Sequence, residues 1–540
     1  MIRASLAVLL VLATGASGAR HAAWLTPRVL SAVGAGDQRV AVDVRGNVTV
    51  AWAMDAGTGH GVVDAAYRPA GGRFGSSRAV SSPGLWAGPD LGVDRTGRAT
   101  LVWANGNPPD VVVRVATRPA GGAVGPARTL DGPYHFVFSP RVAVNARGDA
   151  VAVWITTDSP LDSGSPGHFV LRAAFRRAGG TFGPPADVYA FDNDVTPRFE
   201  LGIDANGGAA LVLGTSRFPE SAVHAFYRRA GGTFGTPRTM AVASAETTPN
   251  ATFSAVGAPE LAMDGHGDAL AAWTASGSGD TVAQAAYRPA GGRWDSPVEV
   301  TDAGSCCNDT YRIALDAHGG ALAVWVDIQG AVRVSTRTER GGWERSHALS
   351  RPGDRALTEP PAVAVGSRGD VIVAWTDLVP AVPTIEAAVR SPGGSFASAR
   401  GVWSGPGFVL NPPQLAVDPQ GNAVVAWQTV VSLHPRDTGP GHAWIQAAGY
   451  DGAGPQLRAP HIPRQGRVGV PIHFAVAPLD VWSAVASTRW TFGDGTGSTA
   501  RRPVHPYRRA GSYTVTVTST DTLGNAKSES RTVRIRAGRR

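Results

Sequence analysis

The sequence has almost no cysteine, a single lysine and no long apolar run. Its 540 residues include two cysteines, and Lys527 is the one lysine among 50 basic residues. Two cysteines cannot build the disulfide framework of a small secreted domain. Beyond the N-terminus no stretch reaches the roughly eighteen apolar residues of a membrane-spanning helix, so we expect no membrane span.

Enzyme signatures are missing as well. There is no Gly-x-Ser-x-Gly elbow, no His-Glu-x-x-His motif and no Gly-x-x-x-x-Gly-Lys phosphate loop. The segments Asp192-Asn193-Asp194 and Asp264 to Asp268 are only fragments of a calcium loop, and turn formation accounts for them without an ion. We therefore predict no cofactor and no metal, and we assign no catalytic residue.

The N-terminus predicts secretion. Arg3, the apolar stretch Leu6 to Ala13 and the small residues Ala16 to Ala19 form the pattern of a signal peptide over residues 1–19. The net charge is +8, but the arginines are spread along the chain, which favours a solvated surface over nucleic-acid binding. We expect a secreted monomer without a nucleic-acid partner.

The two cysteines, Cys306 and Cys307, are adjacent. Neighbouring Cα atoms lie about 3.8 Å apart, less than the roughly 4.4 Å that disulfides prefer. A strained vicinal disulfide and a pair of free thiols are both compatible with this sequence.

One sequence unit recurs eight times at intervals of 50 to 60 residues. Its first half reads apolar-Asp-x-x-Gly-polar-apolar and ends in Trp in seven copies; the copies begin at Val40, Leu91, Val142, Leu201, Leu261, Ile313, Val363 and Leu415. Its second half reads Ala-aromatic-Arg-Pro-Ala-Gly-Gly-x-Phe-Gly, as in residues 66–75. The alternating apolar residues and the turn signals predict four short strands per unit.

Four-stranded units of this length favour an all-β fold, a β-propeller of about eight blades over residues 20–458. Seven blades remain an alternative. The units resemble bacterial propeller repeats of the type Val-Asp-x-x-Gly-Asn-x-x-Val. The last copy lacks a fourth strand, and Pro27 to Ser31 resembles one, so we predict that this segment closes the ring. Pro455 to Leu457 is the competing source of that strand.

The recurring Asp and Arg of the units are interpreted as structural, because catalysis needs one site rather than six. The Asp set is Asp43, Asp94, Asp204, Asp264, Asp316 and Asp418; the Arg set is Arg68, Arg118, Arg176, Arg288, Arg337 and Arg390. Asp is expected to cap the first turn of each unit. We also expect weak Asp–Arg pairing at the surface.

The C-terminal segment, residues 459–540, follows a different pattern. Trp490 to Gly495, then His505-Pro506-Tyr507 and Gly511 to Val517, closely resemble the polycystic kidney disease (PKD) domain. This resemblance implies an immunoglobulin-like β-sandwich of the kind that serves secreted bacterial proteins as a spacer or adhesion module.

The variable loops are the predicted working surface. The first and third turns of each unit are short and repetitive, whereas the other connections differ in every copy and should share one face. Aromatic residues on that face could stack on a sugar or anchor a protein. The candidates are Trp86, Tyr134, Phe136, Tyr189, Phe191, Trp403, Phe408 and Trp444. Phe138, Phe253 and Tyr311 belong to the same loops.

Three functions are compatible with these patterns. The favoured one is a non-catalytic extracellular binding or adhesion protein for a glycan or a protein. The alternatives are a secreted polysaccharide hydrolase and a structural surface protein. A cluster of carboxylates and arginines at the ring centre would favour the hydrolase, whereas an aromatic face poor in acids would favour binding.

Overall fold

A computed structural model of the chain is built from β-strands alone. It describes residues 22–537 apart from 56–60, 85–86, 159–166, 245–254, 278–279, 302–309, 317, 339–340, 355, 357–358, 379–381 and 432–441. The chain divides into two compact units, one comprising Trp24–Asp451 and the other formed mainly by residues 452–540. No helix within the described ranges is long and apolar enough to cross a membrane.

The larger unit is a ring of eight antiparallel sheets, which confirms the predicted propeller and its eight blades. In blades 1 to 7 the chain passes through strands A to D in order, and strand A lies next to the axis in every blade. Two short strands precede the first blade, β1 (Ala23–Trp24) and β2 (Arg28–Val29).

Strands A to D of blade 1 are β3 (Ala35–Val42), β4 (Val48–Asp55), β5 (Gly61–Arg68) and β6 (Arg78–Ala79). Those of blade 2 are β7 (Ala87–Val93), β8 (Ala99–Asn105), β9 (Val111–Arg118) and β10 (Arg128–Tyr134). Those of blade 3 are β11 (Phe136–Val144), β12 (Ala150–Thr157), β13 (Gly167–Arg176) and β14 (Ala186–Asn193). Those of blade 4 are β15 (Arg198–Ile203), β16 (Ala209–Arg217), β17 (Glu220–Arg228) and β18 (Arg238–Ser244).

Blade 5 contains β19 (Ala255–Met263), β20 (Ala269–Gly277), β21 (Asp280–Arg288) and β22 (Val298–Glu299). Blade 6 contains β23 (Tyr311–Leu315), β24 (Ala321–Val326), β25 (Val332–Thr336) and β26 (His347–Ala348). Blade 7 contains β27 (Ala362–Val365), β28 (Val371–Asp377), β29 (Thr384–Arg390) and β30 (Arg400–Ser404). Blade 8 contains β31 (Phe408–Val417), β32 (Ala423–Val431) and β33 (His442–Asp451).

The N-terminal segment closes the ring, as the sequence predicts. Strand β2 pairs antiparallel with β33, with Arg28 opposite Ala447 and Val29 opposite Gln446. Ser31 Oγ accepts a hydrogen bond from the Ile445 amide at 2.8 Å. The competing segment, which begins β34 (Gln456–His461), instead pairs with β37 (Ala475–Leu479) in the other unit. Strand D of blade 8 therefore comes from the opposite end of the propeller sequence.

The blades pack through the marker tryptophans and the apolar faces of the middle strands. All seven repeat tryptophans are buried, and so is Leu213 at the equivalent position in blade 4. One apolar cluster, for example, combines Val151 and Phe169 of blade 3 with Leu211 and Phe226 of blade 4. Burial on both sheet faces explains why β12 is apolar almost throughout rather than alternating.

The recurring Asp caps the A–B turn, as expected. In blade 1, Asp43 Oδ1 accepts hydrogen bonds from the amides of Arg45 and Asn47, both at 2.9 Å. Gly46 completes the turn at a φ of 81°, a conformation that favours glycine.

The recurring Asp and Arg lie largely buried rather than at the surface, where their pairing was expected. Instead, the recurring Arg binds a turn carbonyl, as in Arg288 Nη1 to Gly267 O at 3.3 Å. Its guanidinium also covers an aromatic ring of the preceding blade. The Cζ atom of Arg288, for example, lies 3.8 Å from the centroid of the Tyr227 ring. Arg118 covers Tyr67, Arg228 covers Phe175 and Arg337 covers Tyr287 in the same way. These arginines join neighbouring blades.

The smaller unit is a β-sandwich. Its strands are β34, β35 (Gln465–Arg467), β36 (Ile472–His473), β37, β38 (Val485–Thr491), β39 (Gly497–Ser498), β40 (Val504–His505), β41 (Gly511–Asp521) and β42 (Ala526–Arg536). The main sheet has the order β35-β42-β41-β38-β39. Trp490, Phe492 and Tyr507 lie in its core, and the Tyr507 hydroxyl donates to Phe492 O at 3.0 Å. The signature residues of the sequence are thus the structural core of the sandwich.

Candidate functional site

The propeller presents two chemically different faces. The A–B and C–D turns lie together on one of them, where the Ala70 amide of a C–D turn donates to Asn47 Oδ1 of an A–B turn at 2.8 Å. We call this the turn face. The B–C hairpins and the D–A connections lie at the opposite ends of the strands, and we call that side the loop face.

A ring of charged side chains lines the axis between these faces. Each residue stands one position before the first apolar residue of its repeat: Arg39, Asp90, Arg141, Glu200, Glu260 and Arg312 in blades 1 to 6, and Gln414 in blade 8. Blade 7 has Ala362 at this position. Together they line a cavity of about 330 Å³. Strand A positions these residues because it runs along the axis in every blade.

The acids and arginines of this axial ring are paired one to one. Arg39 Nε lies 3.5 Å from Asp90, Arg141 Nη2 lies 3.7 Å from Glu200, and Arg312 Nη1 lies 2.9 Å from Glu260. Burial raises the pKa of Glu260 to about 7, with Arg312 opposing that rise and Glu200 adding to it. The ring centre therefore holds three ion pairs, and the carboxyl group with the raised pKa, Glu260, belongs to one of them.

Small residues let the blades converge near the axis. Two positions after each axial residue the sequence has Ala or Gly in all eight blades. The close approach is evident at Gly92, where an added β-carbon would lie 2.5 Å from Val144 Cγ2 of the next blade. The axial cavity is consequently narrow on the side nearer the turn face.

The loop-face end of strand A is bulged. Five A strands shift register there, at residues 36–39, 87–90, 138–141, 257–260 and 410–414. Asp37, Ser139 and Asn411 in these bulges have φ values of 53°, 46° and 64°. Positive φ at residues other than glycine costs energy and occurs often at functional sites. Bulges also re-aim side chains, here at the mouth of the axial cavity.

Hydrogen bonds from amide side chains connect blades 8 and 1 along the line where the two blades meet, which we call the seam. Asn411 Nδ2 donates to Gln428 Oε1 at 2.7 Å, and Gln428 Nε2 donates to Ala35 O at 2.8 Å. Gln38 Nε2 reaches across to Pro412 O at 3.2 Å. Phe408 and Leu410 stand at the rim of this seam with 60% and 50% of their surface exposed. Strand register places Leu410 opposite Gln428.

The predicted aromatic residues lie at the loop-face ends of strands but differ in exposure. Phe408 is exposed, while Tyr134, Phe136 and Trp444 are half-buried. Tyr189, Phe191 and Trp403 pack against other rings. The ring centroids of Tyr189 and Phe191 lie 5.7 Å apart, and those of Trp403 and Trp427 lie 5.8 Å apart. Phe138 packs against the core of blades 3 and 4, and Tyr311 is buried between blades 5 and 6. Phe408 is the candidate most open to a ligand.

Several predicted residues lie outside the part of the chain that the structure describes. These are Trp86, Phe253, Cys306, Cys307 and the proposed signal peptide. Both the aromatic role of Trp86 and the state of the two cysteines stay predictions.

The two calcium-like fragments differ: Asp264 caps its own turn, whereas Asp192 lies in strand β14. Asp192 pairs with His168 and Arg217 at 2.9 and 3.0 Å, and Asp194 Oδ2 accepts the Phe218 amide. Asp264 Oδ1 accepts three backbone amides of its own turn.

A different acidic group lies in the region of blades 6 and 7. Carboxylate oxygens of Asp354, Asp377 and Glu386 lie within 4.8 Å of one another, close enough to share one cation. Arg351 Nη2 lies 3.5 Å from Glu386 Oε1 and supplies positive charge there.

Sequence reasoning missed the axial ring. Its signal is the position directly before the repeat, which carries a charged residue in six of eight copies although the flanking positions are mostly apolar or Pro. An alignment of the eight copies that begins one residue earlier would have revealed this charged position.

Comparison with known proteins identifies the smaller unit. Residues 455–537 match the sequence profile of the PKD domain, so this segment is a PKD domain. It is also similar to the PKD1 domain of the Vibrio cholerae metalloprotease PrtV, with 29% identity over 15% of this chain and 96% of that one and a TM-score of 0.14.

The propeller is similar in fold to two solved structures. The BP39L lectin from Burkholderia pseudomallei is 12% identical, with 69% of this chain and 100% of that chain covered and a TM-score of 0.48. The polysaccharide lyase Uly1 is 10% identical, with 63% and 86% covered and a TM-score of 0.40.

Proposed function

We propose that this protein is a non-catalytic extracellular binding protein whose ligand is a saccharide at the loop-face seam between blades 8 and 1. The observation that carries the proposal is the exposed Phe408 and Leu410 at the rim of a seam built from amide side chains. The PKD domain supports an extracellular location, because such domains are typical of extracellular proteins.

The chemistry of this seam suits a sugar. An aromatic face packs against the apolar face of a pyranose ring. Carboxamides offer both donors and acceptors, which matches the hydroxyl groups of a saccharide. Asn411, three positions after Phe408, is exposed and can supply such a group, while the buried Gln428 holds it in place through their hydrogen bond. Gly36 lets Gln428 approach blade 1, since a β-carbon there would lie 3.0 Å from Gln428 Nε2.

The pairing within the axial ring favours binding over hydrolysis. A glycosidase requires two carboxyl groups that flank the scissile bond, one of which acts as an ionised base or nucleophile. Here Asp90, Glu200 and Glu260 each face an arginine at salt-bridge distance. Each of these carboxylates is therefore already engaged by an arginine, which competes with a substrate for its oxygens.

The experiment is a glycan-array screen of the full chain, followed by calorimetric titration of the best ligand. We expect at least one polysaccharide to bind, and Phe408→Ala to weaken its binding about tenfold, which corresponds to about 1.4 kcal/mol. Val504→Ala in the PKD domain removes a comparably exposed apolar side chain and should leave affinity unchanged. Binding to no glycan, or equal binding by the Phe408 variant, would refute this site.

A polysaccharide hydrolase is the second candidate, and the raised pKa of Glu260 favours it, because a carboxyl that is protonated near neutral pH can act as a general acid. This function predicts release of reducing ends from a bound polysaccharide, with a rate that declines above about pH 7 and is lost in Glu260→Gln. Such release would overturn the non-catalytic proposal. Binding without release supports it.

A further inference from the structure

The turn face of blades 3 to 5 carries two neighbouring grooves lined by arginine. The first groove, of about 680 Å³, lies between blades 3 and 4 and includes Arg147, Arg176, Arg177 and Arg228. The second, of about 790 Å³, lies between blades 4 and 5 and includes Arg229, Arg238, Arg288 and Arg293. Both volumes lie in the range of ligand pockets, about 300 to 1,000 Å³.

These grooves contain almost no compensating negative charge. Asp149 is the one acid among the residues lining the first groove, and Arg147 Nη2 already pairs with it at 2.9 Å. No carboxylate is among the residues that line the second groove. Elsewhere on the propeller, in contrast, arginines of the axial ring each face an acid. Eight arginines and one acid therefore line the two grooves.

The arginines have two different roles. Arg176, Arg228 and Arg288 are buried, and each donates to a turn carbonyl, so they belong to the scaffold. Arg177, Arg229 and Arg293 are exposed on the turns. The exposed side chains are free to contact a ligand without disturbing the blades.

The repeat itself indicates that the exposed arginines are not scaffold residues. Arg177 and Arg229 follow the recurring Arg at a position where blades 1, 2 and 5 have Pro69, Pro119 and Pro289. Arg177 also extends toward the next blade, because a β-carbon on Gly231 would lie 3.8 Å from its Nη2 atom. The two substitutions occur in adjacent blades, which places their charges along one track.

Like charges this close disfavour one another unless an anion is present. Burial lowers the pKa of the Arg228 guanidinium; among the nearby charges, Asp149 and Asp204 raise that pKa and Arg177 lowers it. An anionic group bound between them would relieve the repulsion.

We propose that these two grooves form a binding site for an acidic polysaccharide, whose carboxylate or sulfate groups pair with Arg177, Arg229 and Arg293. The planar guanidinium fork matches such oxyanions with two parallel hydrogen bonds. Two separate concave grooves suit discrete acidic sugar units, whereas a duplex nucleic acid presents a continuous line of phosphates, one per about 3.4 Å of helix axis on each strand. The site lies on the face opposite Phe408 and is independent of the saccharide site proposed there.

The test uses the full chain and four defined probes: polygalacturonate, dextran sulfate, neutral dextran and single-stranded DNA. We expect one or both acidic polysaccharides to bind, with affinity that falls steeply as salt rises, and neutral dextran not to bind at this face. The variant Arg177→Gln/Arg229→Gln/Arg293→Gln should lose at least tenfold in affinity for the acidic polysaccharide and show a shallower salt dependence.

A control variant with matched charge distinguishes a specific binding site from general electrostatic attraction to a basic protein. Arg458→Gln/Arg501→Gln/Arg502→Gln removes the same number of exposed charges from the smaller unit and should retain affinity. Phe408→Ala should bind the acidic probes normally, so a failure of the loop-face site does not affect this result. The proposal is overturned if both triple variants lose affinity equally, if neither acidic polysaccharide binds, or if DNA binds more tightly than both.

Discussion

At the scale of single residues, arginine has three separate roles in this propeller. Arg312 neutralises a carboxylate at the axis, Arg228 joins two blades, and Arg229 is exposed in a groove. Arg228 and Arg229 are neighbours in sequence, yet one is buried and the other is exposed. The alternation of side chains at the end of strand C explains the difference, because successive residues point in opposite directions.

Arg228→Ala should destabilise the propeller by about 2 to 4 kcal/mol. The change removes hydrogen bonds to Gly207 O at 2.7 Å and Gly232 O at 2.8 Å, together with the contact 3.9 Å above the Phe175 ring. Urea unfolding followed by tryptophan fluorescence measures the loss. The adjacent variant Arg229→Ala is the control and should change stability by less than about 0.5 kcal/mol. Equal effects would show that the inter-blade arginine does not stabilise the ring.

The recurrence of Asp and Arg is sufficient to predict a structural role for both, and Asp43 has that role. Their partners could not be predicted from one repeat, because Arg228 binds an aromatic ring that belongs to the preceding blade. The axial ion pairs could not be predicted for the same reason, because Arg39 and Asp90 are 51 positions apart in sequence and come into contact only in the folded ring.

At the scale of elements, closure depends on a very short strand. Strand β2 contributes two paired residues, and backbone bonds from Leu30 N to Ile445 O and from Gly34 N to Ala443 O extend the contact, at 2.8 and 2.7 Å. The sequence reveals this strand because Pro27 to Ser31 resembles the D strands of other repeats. Its two-residue length could not be predicted, since the neighbouring bends depend on tertiary contacts.

Leu30→Pro should weaken ring closure. Proline has no amide hydrogen and therefore cannot donate to Ile445 O. We expect a lower thermal unfolding midpoint and a tendency to associate through the uncovered edge of β33. Differential scanning fluorimetry and size-exclusion chromatography measure the two effects. Leu30→Ala retains the amide and should elute like the parent protein, with a midpoint near that of the parent; equal behaviour of the two variants would argue against closure by this segment.

At the scale of the whole molecule, the two propeller faces carry different chemistry. The loop face exposes apolar side chains such as Phe408 beside an amide-rich seam, whereas the turn face exposes arginines in blades 3 and 4. The sequence identifies the variable loops as the first of these surfaces. It does not identify the turn face, because the exposed arginines of blades 3 and 4 lie within the most repetitive turns. They are distinguished only in having arginine where blades 1, 2 and 5 have proline.

The PKD domain should fold without the propeller. Its core residues, including Phe474, Trp490, Val517 and Ile535, all come from residues 452–540. A unit of this size with its own buried core is expected to unfold as one cooperative transition. We expect residues 452–540 expressed alone to give a dispersed NMR spectrum and a sigmoidal urea transition. Trp490→Ala should remove most of that stability, about 3 to 5 kcal/mol, because it empties the centre of the core. A collapsed spectrum for the isolated segment would show instead that the sandwich needs the preceding ring to fold.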